Sequence, residues 1–253
     1  MTHTTRVSLE PAWILHQYPY RDSSLLLEVF SREYGRIGLV ARGVRSARSR
    51  SRNQLQILRP LALSWNLRGE LGTLTGVESR GAVGIFPGRQ VLCACYLNEL
   101  LLRLMTRHDP HPEIFDAYEQ TVMLLGRNEE QALRVFEKRL LASLGYGLLL
   151  QHEFDSGTPV REDRLYEYHL ERGPVQCQQE NHDGIFLHGF SLLALHRDEL
   201  QEPLVCREVK RLMRAALALY LGARPLRTRE VLRQLSVMSQ AGQRETAANQ
   251  QTG

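Results

Sequence analysis

Over the first eighty residues apolar and polar positions change with a period of two, and after Pro87 and Gly88 they change with a period of 3.6. The first repeat belongs to half-buried strands and the second to amphipathic helices. Ala12–Tyr18 is a β-rich run that Pro19 is expected to end. Ser24–Phe30 and Arg36–Ala41 flank a tight connection at Glu33, Tyr34 and Gly35, which predicts a hairpin. Leu61–Trp65 enters after Pro60, and Leu71–Val77 follows the turn residues Arg68, Gly69 and Glu70. Five short strands with a long loop before the fourth predict a small closed β-barrel. The OB-fold is the commonest five-stranded answer and a frequent nucleic-acid platform, with an SH3-like barrel as its competitor.

The second half predicts helices over Gln90–Arg107, Glu113–Leu125 and Glu129–Leu144, the third capped by Asn128 and stopped by Gly145. Residues 146–188 are irregular, with short strands expected at Leu165–Leu170 and Gly184–Leu187. The helical pattern resumes over Ser191–Leu200, Leu204–Leu221 and Arg229–Val237. The resulting class is α+β: residues 1–80 as an OB-fold, 81–238 as an α-helical domain with an insert at about 146–188, and 239–253 as a disordered tail without hydrophobic period.

Charge sharpens this division. Residues 1–80 hold twelve Arg against six acids, whereas 81–253 carry 20 basic and 22 acidic groups. Between Tyr34 and Gly69 there is no acidic residue, and eight arginines fall there: Arg36, Arg42, Arg45, Arg48, Arg50, Arg52, Arg59 and Arg68. No core buries so many guanidiniums without partners, and like charges this close favour an extended, mobile segment until an anion neutralises them. Such a run most naturally meets a polyanion, through Arg36, Arg42, Arg45, Arg48, Arg50, Arg52 and Arg68. The bland alternative is a solvated basic loop. Among the aromatic residues, Trp13, Phe30 and Trp65 are expected in the core, while Tyr18, Tyr20 and Tyr34 are left as candidates to stack on bases.

Other chemistry finds little support. Neither a phosphate-binding Gly-rich loop with Lys-Ser/Thr nor a dinucleotide fingerprint occurs. Cys93 and Cys95 are two apart on a predicted helix and diverge, and Cys177 with His182 and His188 lacks a fourth ligand, so no metal is expected. No nucleophile elbow or Ser-His-acid order appears, and no enzyme activity is expected. The first six residues lack the apolar run of a signal peptide and no 18-residue apolar stretch exists, so a cytoplasmic, nucleoid-associated location without membrane contact is expected.

Five stretches, in order, resemble the bacterial recombination-repair mediator family RecO. They are Ser24–Phe30 (SLLLEVF), Gly35–Arg45 (GRIGLVARGVR), Tyr96–Leu101 (YLNELL), Ala132–Glu137 (ALRVFE) with Leu144–Gly147 (LGYG), and Tyr220 through Arg229 and Glu230. The resemblance implies an OB-fold followed by a helical domain. It implies binding of single- and double-stranded DNA, annealing of complementary strands and, with RecR, help to RecA in displacing single-strand-binding protein (SSB). No cofactor is implied. Some members carry four zinc-binding cysteines in the segment matching 146–182, where this chain has only Cys177. The resemblance also implies that the acidic, aromatic-ended tail of SSB docks on the helical domain. There Arg134, between apolar Leu133 and Val135, is expected at the border of an apolar face as the carboxylate anchor, unless it pairs with Glu130 or Glu137 in its own helix. The competing readings are an RNA-binding OB-fold factor in translation or RNA maturation, and a metal-dependent nuclease.

Overall fold

The computed structural model describes residues 4–46, 49, 51–81, 86–179, 184–231 and 234. Arg48, Arg50, His182, most of the helix expected at Arg229–Val237 and the tail from Ser239 lie outside the described residues.

The five expected strands form: β1 (Thr5–Tyr20), β2 (Ser24–Ser31), β3 (Gly35–Ala41), β4 (Pro60–Arg68) and β5 (Leu71–Ser79). They close in the order β1-β2-β3-β5-β4, with β3 and β5 parallel and the other neighbours antiparallel. This is the OB-fold arrangement. Strand β1 runs through Pro19, contrary to the expectation that the proline ends it. Pro11 pairs only with β4 and Pro19 only with β2, so each lies where the strand has one neighbour and a missing N–H is tolerated. The register shifts between Val7 and Glu10 and again between Ile14 and His16, which bends β1 enough to serve both neighbours. Ile14, Leu27, Val29, Ile37, Leu39 and Trp65 fill the barrel. Val44 and Leu55 from the long basic loop join that core, so the chain is anchored to the barrel at these two points.

The helical part comprises α1 (Arg89–Leu104), α2 (Pro112–Leu124), α3 (Glu129–Ser143), α4 (Gly189–Arg197) and α5 (Pro203–Leu221). Asn128 occupies the cap position of α3, but its amide donates to Gln131 Oε1 (2.6 Å) and makes no cap bond to the backbone. The insert is a small sheet of β6 (Leu165–His169), β7 (Gly173–Cys177) and β8 (Phe186–His188) in the order β7-β6-β8. The unexpected member is β7, whose Gly173 and Pro174 read as a turn in sequence.

Barrel and helices share one core. Trp13 and Phe30 leave the outer barrel face to meet Tyr118 and Phe115, with ring centroids 5.4 and 5.5 Å apart. Buried Tyr118 donates its hydroxyl to Asn98 Oδ1 (2.6 Å), and Asn98 donates to the Leu15 carbonyl (3.0 Å). Gly35 is required at the second crossing: its φ is +63°, and a Cβ there would stand 2.1 Å from the Asp109 carbonyl oxygen.

One stripe of α1 holds the chain's later turns. Arg103 donates to the carbonyls of Leu221, Arg224 and Pro225 at the end of α5. Glu99 accepts from the backbone N–H groups of Arg227 (2.9 Å) and Thr228 (3.0 Å), the first of the helical turn 227–231. Arg229 donates to the Tyr96 hydroxyl (3.0 Å).

Candidate nucleic-acid interface

Side chains on directly paired strand positions share a face, so the register defines the outer surface of the barrel in rows. Trp13, Phe30 and Arg36 form the row covered by the helices. The next row contains His16, Glu28, Gly38, Leu71 and Arg68. Beyond it lies the row Tyr18, Leu26, Val40, Thr73 and Asn66. Tyr20 and Ser24 come last, and Arg42 directly follows β3 at the same end.

The face is apolar or aromatic at its centre, and its edges carry exposed Arg21, Arg42, Arg45 and Arg68 together with exposed Asp22 and Glu70 in the flanking turns. Tyr18 is 45% exposed and Leu71 40%, and His16 is exposed as well. The rings of His16 and Tyr18 stack at 4.2 Å with an interplanar angle of 27°. Arg21 lies over the Tyr20 ring, 5.3 Å from its centroid. Glu28 is the acid in the rows, and it is 6% exposed, facing Arg36 Nε at 3.5 Å and in contact with Arg107. Gly38 lets Leu71 and Arg107 close over the middle of the face. A Cβ there would meet Leu71 Cδ2 at 2.7 Å and the Arg107 guanidinium at 3.6 Å.

The predicted arginines do not all reach this surface. Arg42, Arg45, Arg52 and Arg68 are exposed. Arg45 is fixed beside the β1–β2 turn, its N–H donating to the Ser23 carbonyl (2.8 Å) and its guanidinium to the Arg21 carbonyl (3.3 Å). Arg68 stands at the opposite edge, beside Leu71, about four strand positions (roughly 13 Å) along the strands and two strands (roughly 10 Å) across from Arg42. Arg48 and Arg50 lie outside the described residues. Arg36 is a correction: its guanidinium turns inward, pairs with Glu28 and donates to the Met105 carbonyl (3.0 Å) and the Leu102 carbonyl of the helical part. Burial pulls its pKa below the ordinary arginine value against the opposing charge of Glu28. It ties barrel to helices. Arg107, which sequence reasoning passed over, takes the position on the face that Arg36 was expected to have. Its only sequence signal is Gly38, a missing side chain in an otherwise bulky strand.

Arg134 is also placed differently. It is 5% exposed, and its guanidinium donates to Glu137 Oε2 at 2.6 Å, with Glu130 Oε1 at 3.5 Å. Glu137 is fully buried and also accepts from the Tyr96 hydroxyl (2.5 Å). Burial opposes the charge on Arg134, but Glu137, Tyr96 and Glu130 outweigh it and hold the pKa above its ordinary value. The guanidinium faces the packed side of α3 and not a solvent border, because residues 130, 134 and 137 share one helix face and α1 supplies Tyr96 opposite. Among the described residues no group of three His, Cys, Asp or Glu is placed to hold a metal ion.

Residues 6–82 match the family "Recombination protein O N terminal", and residues 88–230 match "Recombination protein O C terminal". Among curated relatives, the DNA repair protein RecO of Nitrosococcus oceani is 44% identical over 242 residues, covering 95% of this chain and 98% of its own. That of Alkalilimnicola ehrlichii is 48% identical over 234 residues, 91% and 93% of the two chains. That of Coxiella burnetii is 40% identical over 230 residues, 90% and 99% of the two chains. With both halves of the family matched in order along one OB-fold and its helical partner, the chain belongs to the RecO family.

Proposed function

We propose that this protein is a non-enzymatic mediator of recombinational DNA repair. It binds single- and double-stranded DNA, anneals complementary strands, and helps load RecA onto SSB-coated single strands together with RecR. The observation that carries this reading is the open outer face of the OB-fold, whose acid is neutralised internally and whose edges carry Arg42, Arg45 and Arg68. Its affinity for DNA comes from phosphate neutralisation and counterion release, which is independent of sequence. The relatives named DNA repair protein RecO support the same reading. Binding in the cytoplasm at the nucleoid belongs to this proposal, and no helix among the described residues is long and apolar enough to cross a membrane.

Contact with the SSB tail is assigned to the helical domain. Arg134 serves it only if the tail carboxylate displaces Glu137, which would leave a fully buried acid without its cation. We therefore assign Arg134 to holding Tyr96 and Glu137 in place, with the tail meeting a neighbouring surface. The decisive assay mixes complementary oligonucleotides coated with SSB and follows annealing with and without this protein. Acceleration that requires the SSB tail supports the proposal. Equal annealing with and without the protein refutes it, and tighter binding to RNA than to DNA at matched salt would move the reading to the RNA-binding class.

A further inference from the structure

We propose that His16 and Tyr18, on the open outer face of the barrel, form a stacking platform for the bases of single-stranded DNA. The proposal rests on the DNA-binding reading above and separates the residues that meet bases from those that meet phosphates.

The barrel uses most of its aromatic residues internally. Trp13, Phe30 and Trp65 are 3%, 0% and 0% exposed, and Tyr34 packs edge-on to Trp65 at 5.4 Å. Tyr18 differs. It is 45% exposed, and its ring stacks on exposed His16. A ring backed by a second ring is held flat at little entropic cost to an incoming third, since few torsions remain to be fixed. Leu26 and Val40, half-buried on the same row, extend the apolar floor toward β5. Beside that row the Leu71 side chain and the Arg107 guanidinium close over Gly38 and border the floor.

Charge selects the occupant. An exposed apolar face could take a peptide, but this one is bracketed by Arg42, Arg45 and Arg68. The acid in its rows, Glu28, is covered by Arg36 and Arg107. Exposed Asp22 and Glu70 stand in the turns at the two edges, but the rows themselves hold no open carboxylate and the exposed arginines outnumber those two acids, so a chain with flat apolar rings and a regular negative backbone fits best.

Stacking occupies the π-face of a base and leaves its Watson–Crick edge free. In a duplex each base is already stacked on its neighbours, so the platform has nothing to hold. The arginines would grip both forms of DNA, and the platform would add affinity for the unpaired form alone. Strand pairing would then weaken the hold on the product.

The test measures binding of the full-length chain to three labelled probes of equal length: oligo-dT, an abasic single strand and a duplex. Tyr18→Ala should weaken oligo-dT binding about tenfold, within the ~1–3 kcal/mol of one base–aromatic stack. It should leave the abasic and duplex probes within about twofold, and Tyr18→Phe, which keeps the ring, should bind all three like the parent. Fluorescence of 2-aminopurine in a single strand should be quenched on binding the parent and less so with Tyr18→Ala. Parent binding to all probes with Tyr18→Ala unchanged, or equally weakened on all three, overturns the platform and leaves the DNA-binding reading standing. Failure of the parent to bind any probe overturns both.

Discussion

Replacing Arg134 by Met removes the cation that neutralises Glu137 while preserving most of the side-chain volume. Glu137 is 0% exposed, and without Arg134 its near contacts reduce to the Tyr96 hydroxyl at 2.5 Å, with Arg229 beyond that ring. Breaking a buried pair from one side typically costs ~3–5 kcal/mol, because a desolvated charge is left behind. For a chain of this size that corresponds to roughly 10 °C in melting temperature. The paired change Arg134→Met with Glu137→Leu removes both charges and should recover most of the loss, leaving the Tyr96 O–H without its acceptor, at ~1–3 kcal/mol, while its oxygen still accepts from Arg229. Burial already pushes the Glu137 carboxyl above its ordinary range. In Arg134→Met that pKa rises further, so the deficit is small below the unfolded carboxylate pKa and grows as pH rises through the folded one. Urea unfolding of the parent, the single and the double variant at several pH values reads all of this. A single-variant loss under ~1 kcal/mol, independent of pH, would refute the reasoning and return Arg134 to the solvent border.

Alanine at Arg42, Arg45 and Arg52 together should reduce the salt slope of log K for single strands by roughly 2, at about 0.7 per phosphate contact, with melting unchanged; Arg36→Ala should do the reverse, and salt titration with calorimetry separates them. Burial pushes the Glu99 carboxyl up, but hydrogen bonds from Thr228 and Arg227 outweigh it and hold the pKa below its ordinary value. Its contribution is therefore present above the unfolded carboxylate pKa and lost as pH falls through the depressed one, and amide protection factors across 222–231, taken relative to the intrinsic exchange rate at each pH, should fall both in acid and in Glu99→Ala. Gly35→Ala, with positive φ and a carbonyl 2.1 Å from the new Cβ, should cost at least ~2 kcal/mol in denaturant titration. Chelation during purification should leave the melting temperature unchanged, and one tightly bound zinc per chain by elemental analysis would contradict that.

The elements of this fold are legible in sequence because burial imposes its period directly. Four barrel strands and five helices fall within about three residues of where the pattern sets them, while β1 begins seven residues earlier than expected. What period cannot show is which neighbour each face meets. Ser24–Phe30 reads as a strand, and nothing in it announces that Glu28 is buried because Arg107 reaches it from beyond α1. Arg134 lies between apolar Leu133 and Val135, and nothing local announces that Tyr96 will stand opposite it, 38 positions earlier. Charge density located the basic loop but not the inward turn of Arg36, since composition carries no direction. The proposed platform is half legible: the strand period puts His16 and Tyr18 on one face, whereas the register shift between Ile14 and His16 that turns this pair outward is a property of barrel closure.

The stripe of α1 that clasps the later chain is directional. Arg103 suits only the carbonyl end of a helix and Glu99 only its amide end, since the two termini carry opposite partial charges. A segment that ran backward through the same space would set like against like at both positions. Helix α1 therefore acts as a template with polarity: its two charges fit one direction of the chain over residues 221–228 and oppose the reverse.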